Sequence, residues 1–306
     1  MANDELVLVT GGSGFVGSHC IIQCLAAGYQ VRTTVRSLKR EEETAPSPLP
    51  AAAPKNEDEL IKPAREGTLR VLRAARDAKV KRVVLTSSSA AISEGRQNAH
   101  RKVFTEEDWT DVNDPSVAAY AKSKTLAERA AWDFIKNEGG ALELTVINPS
   151  MITGSALAPD TSSTMEVISR LMNGAIPGCP NLLWTFVDVR DVPSMHLLAM
   201  TNPNANGEGF LCMSQPQMSL KEISLILRER LGDKAKRCPT RSIPDFAVKI
   251  MALFDSSIAL VVPMLGQTFE GSLEKATNLL GWTPRPSADA VVAAGESLNT
   301  LGLVKK

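Results

Sequence analysis

Apolar and polar positions near the start of the chain change from a strand pattern to a helix pattern and back. The apolar run from Leu6 to Thr10 predicts a buried strand, and the spacing within Phe15 to Ala27 predicts a helix that ends at Gly28. Tyr29 to Val35, rich in Val and Thr, predicts a second strand. A strand, a helix and a strand within about 30 residues form a βαβ unit with parallel strands.

The alternation continues through the middle of the chain. Apolar spacing predicts a helix from Asn56 to Asp77, a strand from Val80 to Ser87, a long helix from Ser116 to Asn137 and a strand from Leu142 to Ile147. Strands and helices in this order favour an α/β fold with a Rossmann-type doubly wound parallel sheet, covered by helices on both faces. Before them, residues 37–55 turn from charged to Pro/Ala-rich and cannot hold regular structure for long.

After Pro149 the alternation of predicted strands and helices becomes less regular. A Gly/Pro-rich segment extends to Pro180, and the later patterns predict two strands, Leu183–Val187 and Gly209–Met213, and several helices. The predicted helices follow Asp191 or lie near Ser219–Leu231, Pro244–Phe254, Ser272–Leu280 and Ser287–Leu301. We therefore divide the chain into residues 1–150, whose sheet is completed by parts of 183–213, and residues 151–306, which add a small C-terminal domain.

Composition narrows the classes of partner. Lys plus Arg and Asp plus Glu both number 34, so no net field draws the molecule to nucleic acid or to an anionic membrane. The apolar stretch Ile258 to Leu265, interrupted by Pro263, is far shorter than the roughly 20 residues of a membrane span. The acidic N-terminus shows no export signal, so we expect a cytoplasmic protein. Five cysteines without a C-x-x-C pair argue against a disulfide framework and a metal site.

A glycine-rich turn between the first strand and the first helix is the sharpest local motif. Gly12, Gly14 and Gly17 fit G-x-G-x-x-G, which permits a tight turn and close approach of the backbone to a pyrophosphate. The following helix N-terminus supplies unpaired N–H groups for phosphate oxygens. The predicted cofactor-binding residues of this turn are Gly11, Gly12, Ser13, Gly14, Phe15, Val16 and Gly17.

The residue at the end of the second strand indicates which dinucleotide is preferred. An NAD site places Asp or Glu there to accept from the ribose 2′-OH, whereas this chain has Arg36. A guanidinium fits a 2′-phosphate bidentately, so the sequence favours NADP(H), with Arg40 as a second candidate cation. A solvated surface arginine is the alternative.

A Y-x-x-x-K pattern places a phenol and an ammonium on one face of the long helix. The charge of Lys124 stabilises the phenolate form of Tyr120, which makes Tyr120 a usable proton donor to a carbonyl oxygen. The pattern is common by chance and gains weight because it follows a glycine-rich turn and serines at a strand end, Ser87 to Ser89. A serine hydroxyl there can hydrogen-bond the substrate oxygen as negative charge develops.

With these motifs the chain resembles the extended short-chain dehydrogenase/reductase superfamily, which includes NAD-dependent epimerases and dehydratases. Within it, the chain is similar to the dihydroflavonol-4-reductase-like group of aldehyde and ketone reductases. The resemblance covers nearly the whole chain and rests on six further segments besides Val9–Gly17: Gly67–Leu69, Val84–Ser88, Tyr120–Glu128, Asn148–Pro149, Val187–Val192 and Leu280–Pro286.

The resemblance assigns roles to residues of this chain. It implies a catalytic set of Ser88, Tyr120 and Lys124, in which Lys124 also holds the nicotinamide ribose. Backbone near Pro149 and Ile152 would contact the nicotinamide. Residues 1–150 would then be the NADP-binding domain and residues 151–306 mainly the substrate-binding region. Ala118–Ala121 lacks the Trp-Tyr-Cys-Tyr stretch of the cinnamoyl-CoA reductases, which makes a CoA thioester less favoured as substrate.

The chain departs from the family pattern between its second strand and the helix after Asn56. Residues 36–55 are too few for the two strands and their helices that the family has there, because one βαβ unit takes about 30 residues. The Asp-Leu pair that holds the adenine in the family is absent with them. We expect either unpaired backbone groups near the cofactor site or a sheet that closes differently.

The sequence thus predicts an NADP-dependent oxidoreductase acting on CH–OH groups, a carbonyl reductase with a small-molecule substrate. It would be a monomer or a homodimer, without nucleic-acid or membrane partners. Two alternatives stay open. One is a nucleotide-sugar epimerase or dehydratase, which shares the Ser/Tyr/Lys set but usually prefers NAD. The other is a catalytically silent NADP-binding or interaction protein, which the shortened segment favours.

Overall fold

In a computed structural model, the chain folds into parallel strands joined by helices. The structure describes residues 5–35, 56–95, 103–159, 162–254, 258 and 261–305. The strands are β1 (Leu6–Thr10), β2 (Gln30–Thr34), β3 (Arg82–Thr86), β4 (Glu143–Pro149), β5 (Met151–Thr153), β6 (Leu183–Trp184), β7 (Phe186–Asp188), β8 (Gly209–Cys212) and β9 (Met218–Ser219). The α-helices are α1 (Phe15–Ala26), α2 (Asp58–Asp77), α3 (Ala119–Glu138), α4 (Ser163–Met172), α5 (Asp191–Thr201), α6 (Leu220–Leu231), α7 (Asp245–Met251), α8 (Glu274–Leu280) and α9 (Ser287–Thr300).

The central sheet has three parallel strands in the order β3-β4-β8. β4 lies in the middle and is almost fully buried, as expected for a parallel strand covered on both faces. Helices α2 and α3 pack against each other on one face, around Leu72, Phe134 and Leu144. Glu128 in the first half of α3 and the turn after β3 are both hydrogen-bonded to Asn148 near the end of β4.

The first βαβ unit is a separate two-stranded sheet in which β1 pairs with β2 in parallel. Among the described residues, β1 pairs with no strand other than β2, and β3 pairs only with β4. Leu6 and Leu8 on β1 are 51% and 59% exposed, although their run predicts a buried strand. Among the described strands, β1 therefore has a partner on one side only, and its other edge is called the open edge below. Which of the two outcomes expected from the short segment before Asn56 applies stays a prediction, because that segment lies outside the described residues.

Helices of the second half surround a larger apolar core. Ile168 of α4, Leu227 of α6 and Val291 of α9 are completely buried in it, together with Phe186 of β7. Helix α4 lies in the segment that the sequence predicts to be irregular, so that prediction is wrong for Ser163–Met172. Strand Leu183–Val187 is interrupted and forms β6 and β7, which pair with β9 and β5.

Residues 280–286 are bound to the first residue of α5, Asp191. Trp282, 2% exposed, donates its indole N–H to the Asp191 carbonyl, and the Arg285 backbone N–H donates to the Asp191 carboxylate at 2.7 Å. The Arg285 guanidinium also pairs with Asp191. These contacts join residues 280–286 to the sheet half of the molecule. The domain division at residue 150 stays a prediction.

Two further features concern membrane spans and metal binding. Within the described ranges, every helix is too short or too polar to cross a bilayer. The same residues contain no group of three His, Cys, Asp or Glu side chains that a metal ion would need. All five cysteines are free thiols, and burial raises the pKa of Cys20 to about 12.

Candidate functional site

The glycine-rich turn connects β1 to α1 in the arrangement that the sequence predicts. Gly11 has a φ of +70°, where a residue with a side chain is strained. A methyl group on Gly12 would collide with Thr33 of β2, and one on Gly17 would collide with the carbonyl oxygen of Gly11. Gly12 and Gly17 are therefore required by the packing of the turn itself. Gly11 is exposed and Gly14 half-buried, so the turn is accessible.

The start of α1 fits a phosphate group. Gly14 is its N-cap, without a side chain to cap the helix, and the first turn contains no acidic residue. The N–H groups at the start of the helix have no partner within the helix, and their dipole end favours an anion. Ser13, Phe15 and Val16 are half-buried around this point. The turn therefore has the features that a dinucleotide pyrophosphate needs.

The second strand is bound to this turn. The Gly11 N–H donates to the Thr34 hydroxyl at 3.1 Å, and the Gly12 N–H donates to the Thr34 carbonyl at 3.2 Å. The candidate 2′-phosphate ligands Arg36 and Arg40 lie outside the described residues. Their role stays a prediction.

The serine turn follows β3. Ser88 is the N-cap of a 3-10 turn, Ser89–Ala91, and its hydroxyl accepts from the Ala90 N–H at 3.2 Å. The Ser88 carbonyl accepts from the Asn148 side-chain amide at 3.2 Å. Ser88 is half-buried, and its carbonyl is fixed to Asn148 near the end of β4.

Tyr120 and Lys124 lie one turn apart near the start of α3. The Lys124 ammonium is 5.8 Å from the centre of the Tyr120 ring, and both side chains are half-buried. The neighbouring Lys122 points elsewhere, because it is 8% exposed and pairs with Glu57 at 2.8 Å. Helix α3 packs against the 3-10 turn that follows Ser88. The structure thus places the three predicted catalytic residues on two elements in contact.

Glu128 is a functional candidate that the sequence did not single out beyond its helical spacing. It is 5% exposed, and its carboxylate accepts from the Asn148 amide at 2.7 Å, the Trp132 indole at 3.4 Å and the Ser87 hydroxyl. Burial raises the pKa of Glu128, although these donors and the charge of Lys124 act in the opposite direction. The signal in the sequence was the position of this carboxylate four residues after Lys124, on the helix face that also carries Tyr120.

Contacts from α1 join the glycine turn to the second half of the chain. The His19 ring N–H donates to the Ser155 carbonyl at 2.9 Å, and burial lowers the pKa of His19, so the ring is neutral near pH 7. The Gln23 amide donates to the Arg190 carbonyl at 2.6 Å. Ser155 follows β5, which contains Ile152, whereas Pro149 ends β4 and is buried. Pro149 is the last residue of β4, and Ile152 is the middle residue of β5, three residues before Ser155.

Comparison with known proteins decides the family. The family model "NAD dependent epimerase/dehydratase family" matches residues 43–211, which is more than half of the chain. The chain belongs to this family. A likeness of 30% identity over 76% of this chain, and 84% of the relative, to a putative uncharacterized oxidoreductase of Schizosaccharomyces pombe agrees with it. The predicted membership of the extended short-chain dehydrogenase group is confirmed.

Named relatives in the family are reductases. Cinnamoyl-CoA reductase CAD2 of Medicago truncatula is 33% identical over 74% of this chain and 80% of the relative. The crystal structure of Gre2 from Candida albicans in complex with NADPH superposes with a TM-score of 0.76 at 25% identity, over 97% of this chain and 99% of that chain. This likeness confirms the predicted Rossmann-type α/β fold.

The alignments also support the predicted shortening. The match to the S. pombe relative runs over 283 positions, yet includes only 76% of the 306 residues of this chain. The family member therefore has residues inside the matched region that this chain lacks. This agrees with the open edge of β1.

Proposed function

We propose that the chain catalyses NADPH-dependent reduction of an aldehyde or ketone to an alcohol. The observation that carries the proposal is the pair Tyr120 and Lys124 on one face of α3, with the ammonium 5.8 Å from the phenol ring. The same helix contacts the turn that begins at Ser88. A proton donor, a cation beside it and a hydroxyl at a strand end are the groups that carbonyl reduction requires from the protein.

Each residue has a role in this reaction. NADPH, when bound, supplies the hydride to the carbonyl carbon. Tyr120 donates its phenolic proton to the carbonyl oxygen, and Lys124 stabilises the phenolate that is left. The Ser88 hydroxyl donates a hydrogen bond to the same oxygen while negative charge develops there. Lys124 also holds the nicotinamide ribose, and the backbone at Pro149 and Ile152 borders the nicotinamide.

NADP(H) is the proposed cofactor on two grounds. The start of α1, which follows the glycine turn, has N–H groups without a partner inside the helix that can donate to a pyrophosphate, with Ser13, Phe15 and Val16 half-buried around it. Arg36, with Arg40, follows β2 at the position that contacts the 2′-phosphate, and the similar Gre2 structure contains NADPH. NADPH should therefore bind more tightly than NADH.

The test is NADPH oxidation with a panel of aryl and aliphatic aldehydes and ketones. Tyr120→Phe should lower kcat by about 100-fold or more, because it removes the proton donor. NADPH affinity, measured by nicotinamide fluorescence, should stay within about twofold. Tyr29→Phe is the matched control, since Tyr29 is the other tyrosine of the chain and lies before β2. Undiminished turnover by Tyr120→Phe would refute the role of Tyr120.

A second candidate function is favoured by the open edge of β1. The cofactor turn lies on a two-stranded sheet, and a protein with this defect can bind NADPH without turning over a substrate. Binding without oxidation across the whole panel would support this candidate. Cinnamoyl-CoA belongs in the panel because of the Medicago relative, and we expect it to be a poorer substrate than free aldehydes.

A further inference from the structure

Glu128 connects the catalytic helix to both strand ends of the site. Its carboxylate, one turn after Lys124, accepts from Asn148 at the end of β4 and from Ser87 at the end of β3. Asn148, 1% exposed, uses the same amide nitrogen to donate to the Ser88 carbonyl. A continuous set of hydrogen bonds therefore runs from the helix of Tyr120 to the backbone of Ser88.

We propose that Glu128 is a positioning residue, whose ionised carboxylate holds the Ser87–Ser88 turn in place against Tyr120 and Lys124. This inference rests on the proposed reductase function. Ser88 and Tyr120 must hydrogen-bond the same carbonyl oxygen, so their separation has to be fixed closely. They lie on different elements, and the described hydrogen bonds that join these elements pass through Glu128 and Asn148.

The groups around Glu128 favour its ionised form. Among the described residues, the groups acting on this carboxyl are the neutral donors Ser87, Asn148 and Trp132, and one charge, Lys124. A carboxylate accepts from these donors with both oxygens, whereas a protonated carboxyl turns one oxygen into a donor and rearranges these hydrogen bonds toward the other acceptors, the Ser87 hydroxyl and the Asn148 side-chain oxygen, which is unpartnered within the described part of the chain. Because burial raises the pKa of Glu128, this rearrangement should occur at a less acidic pH than for an exposed glutamate.

Glu128→Gln reproduces the protonated state at every pH, since an amide also adds a donor. We expect it to lower kcat by about 10- to 100-fold, with KM for the carbonyl and NADPH affinity nearly unchanged. In the wild type, kcat should fall as the pH decreases. This acid limb of the pH profile of kcat should be absent in Glu128→Gln. Glu128→Asp keeps the charge and should retain both the limb and more activity than the glutamine variant.

Hydrogen exchange provides a readout that does not depend on turnover. The Ser87 and Ala91 amides are hydrogen-bonded in the wild type. Amides of residues 87–92 should exchange about tenfold faster in Glu128→Gln. Glu143→Gln is the control, because Glu143 is a half-buried carboxylate on β4 that pairs with Arg82 away from the serine turn. It should leave exchange at 87–92 and the acid limb unchanged.

The outcomes separate this inference from the proposed function. Unchanged exchange at residues 87–92 in Glu128→Gln overturns it, whatever the activity. Faster exchange with kcat within about twofold of wild type also overturns it, since the turn would then not need to be held for catalysis. If the wild type oxidises no NADPH with any substrate, the reductase proposal fails, and exchange alone decides whether Glu128 holds the turn.

Discussion

Gly17 and Gly67 both lie in helices, but the space around the two residues differs. A methyl group on Gly17 would lie against the backbone of Gly11 and Gly12, which cannot give way as a flexible side chain can. Around Gly67, inside α2, no atom lies within 4 Å of the added methyl. The glycine turn is therefore fixed by a close backbone approach, whereas Gly67 leaves open space.

Gly17→Ala should displace the turn and weaken NADPH binding by about tenfold or more, which is at least 1.4 kcal/mol. Nicotinamide fluorescence titration measures this. Gly67→Ala is the control: it should leave NADPH affinity unchanged and raise the free energy of unfolding by about 0.5–1 kcal/mol, because alanine favours a helix interior. Equal NADPH affinity for the Gly17 variant and the wild type would contradict the assignment of the turn.

The sequence predicted the elements that hold a motif where the motif stands in one continuous segment. Gly12 lies in the turn after β1 and Gly17 in α1, and Tyr120 and Lys124 are four residues apart on α3, as local spacing indicated. Their functional roles stay predictions. Glu128 shows the limit. Its burial and its contact with Asn148 come from the packing of α3 on β4, which the spacing of either segment does not specify.

Arg82 connects three secondary-structure elements: β3, β4 and the end of α5. From β3, its guanidinium pairs with Glu143 of β4 at 2.7 Å and donates to the carbonyls of Ala199 and Asn202 at the end of α5. The Arg82 side chain is only 6% exposed. A buried cation placed on helix-end carbonyls both satisfies these acceptors and balances the negative end of the helix dipole.

Arg82→Met should lower the free energy of unfolding by about 3 kcal/mol, because it leaves Glu143 and the helix-end carbonyls without their donor. Chemical denaturation monitored by circular dichroism measures the change. Arg65→Met on the half-exposed pair of α2 should cost less than about 0.5 kcal/mol. Similar losses in the two variants would show that the Arg82 contacts contribute little.

The N-terminus of α6 supplies a pH-dependent contribution to stability. Ser219 and Glu222 form a capping box, and hydrogen bonds from the Ser219 backbone and hydroxyl lower the pKa of Glu222. A lowered carboxyl pKa stabilises the folded state above the unfolded pKa, and this stabilisation is lost as pH falls through the folded pKa.

Glu222→Gln should therefore be less stable than the wild type near neutral pH by about 0.5 kcal/mol, a small value because the side chain is exposed to water. The difference should disappear as pH falls through the lowered folded-state pKa of Glu222. Urea denaturation across this range checks it, with Glu229→Gln on the same helix as the control for net charge. A difference that persists at the acid end would contradict the capping role.

Helices and strands were predictable where their apolar spacing continued without interruption along the sequence. The expected bounds of β1, α3 and α6 agree with the structure within a few residues. Helix α4 was missed because glycines and prolines on both sides suggested an irregular segment. Its buried positions Met165, Ile168 and Met172 nevertheless recur at helical spacing after the N-cap Ser162.

For the whole molecule, the division of the sheet is the dominant feature. The cofactor turn belongs to the β1–β2 pair, whereas Ser88, Tyr120 and Lys124 belong to the β3-β4-β8 sheet and its helices. The sequence indicated missing elements by the length of one segment. It did not indicate whether β1 would pair with β3 instead, because pairing depends on packing across the entire sheet.

Amide hydrogen exchange should reveal two levels of stability. Amides of β4, which is paired on both sides and buried, should exchange only on global unfolding. Amides of β1 should exchange at least about tenfold faster through local opening of the β1–β2 pair. Equal protection in both strands would mean that β1 acquires a second partner strand in solution.

The glycine turn lies on the open-edged β1–β2 pair, so NADP(H) bound at the proposed site is expected to have a structural role as well. A dinucleotide that touches both the glycine turn and Lys124 would act as a cross-link between two separately hydrogen-bonded pieces. Heating the apoprotein should detach the smaller piece first, and saturating nucleotide should merge the two transitions into one at a higher melting temperature. The coenzyme would then complete the architecture of the protein as well as its chemistry.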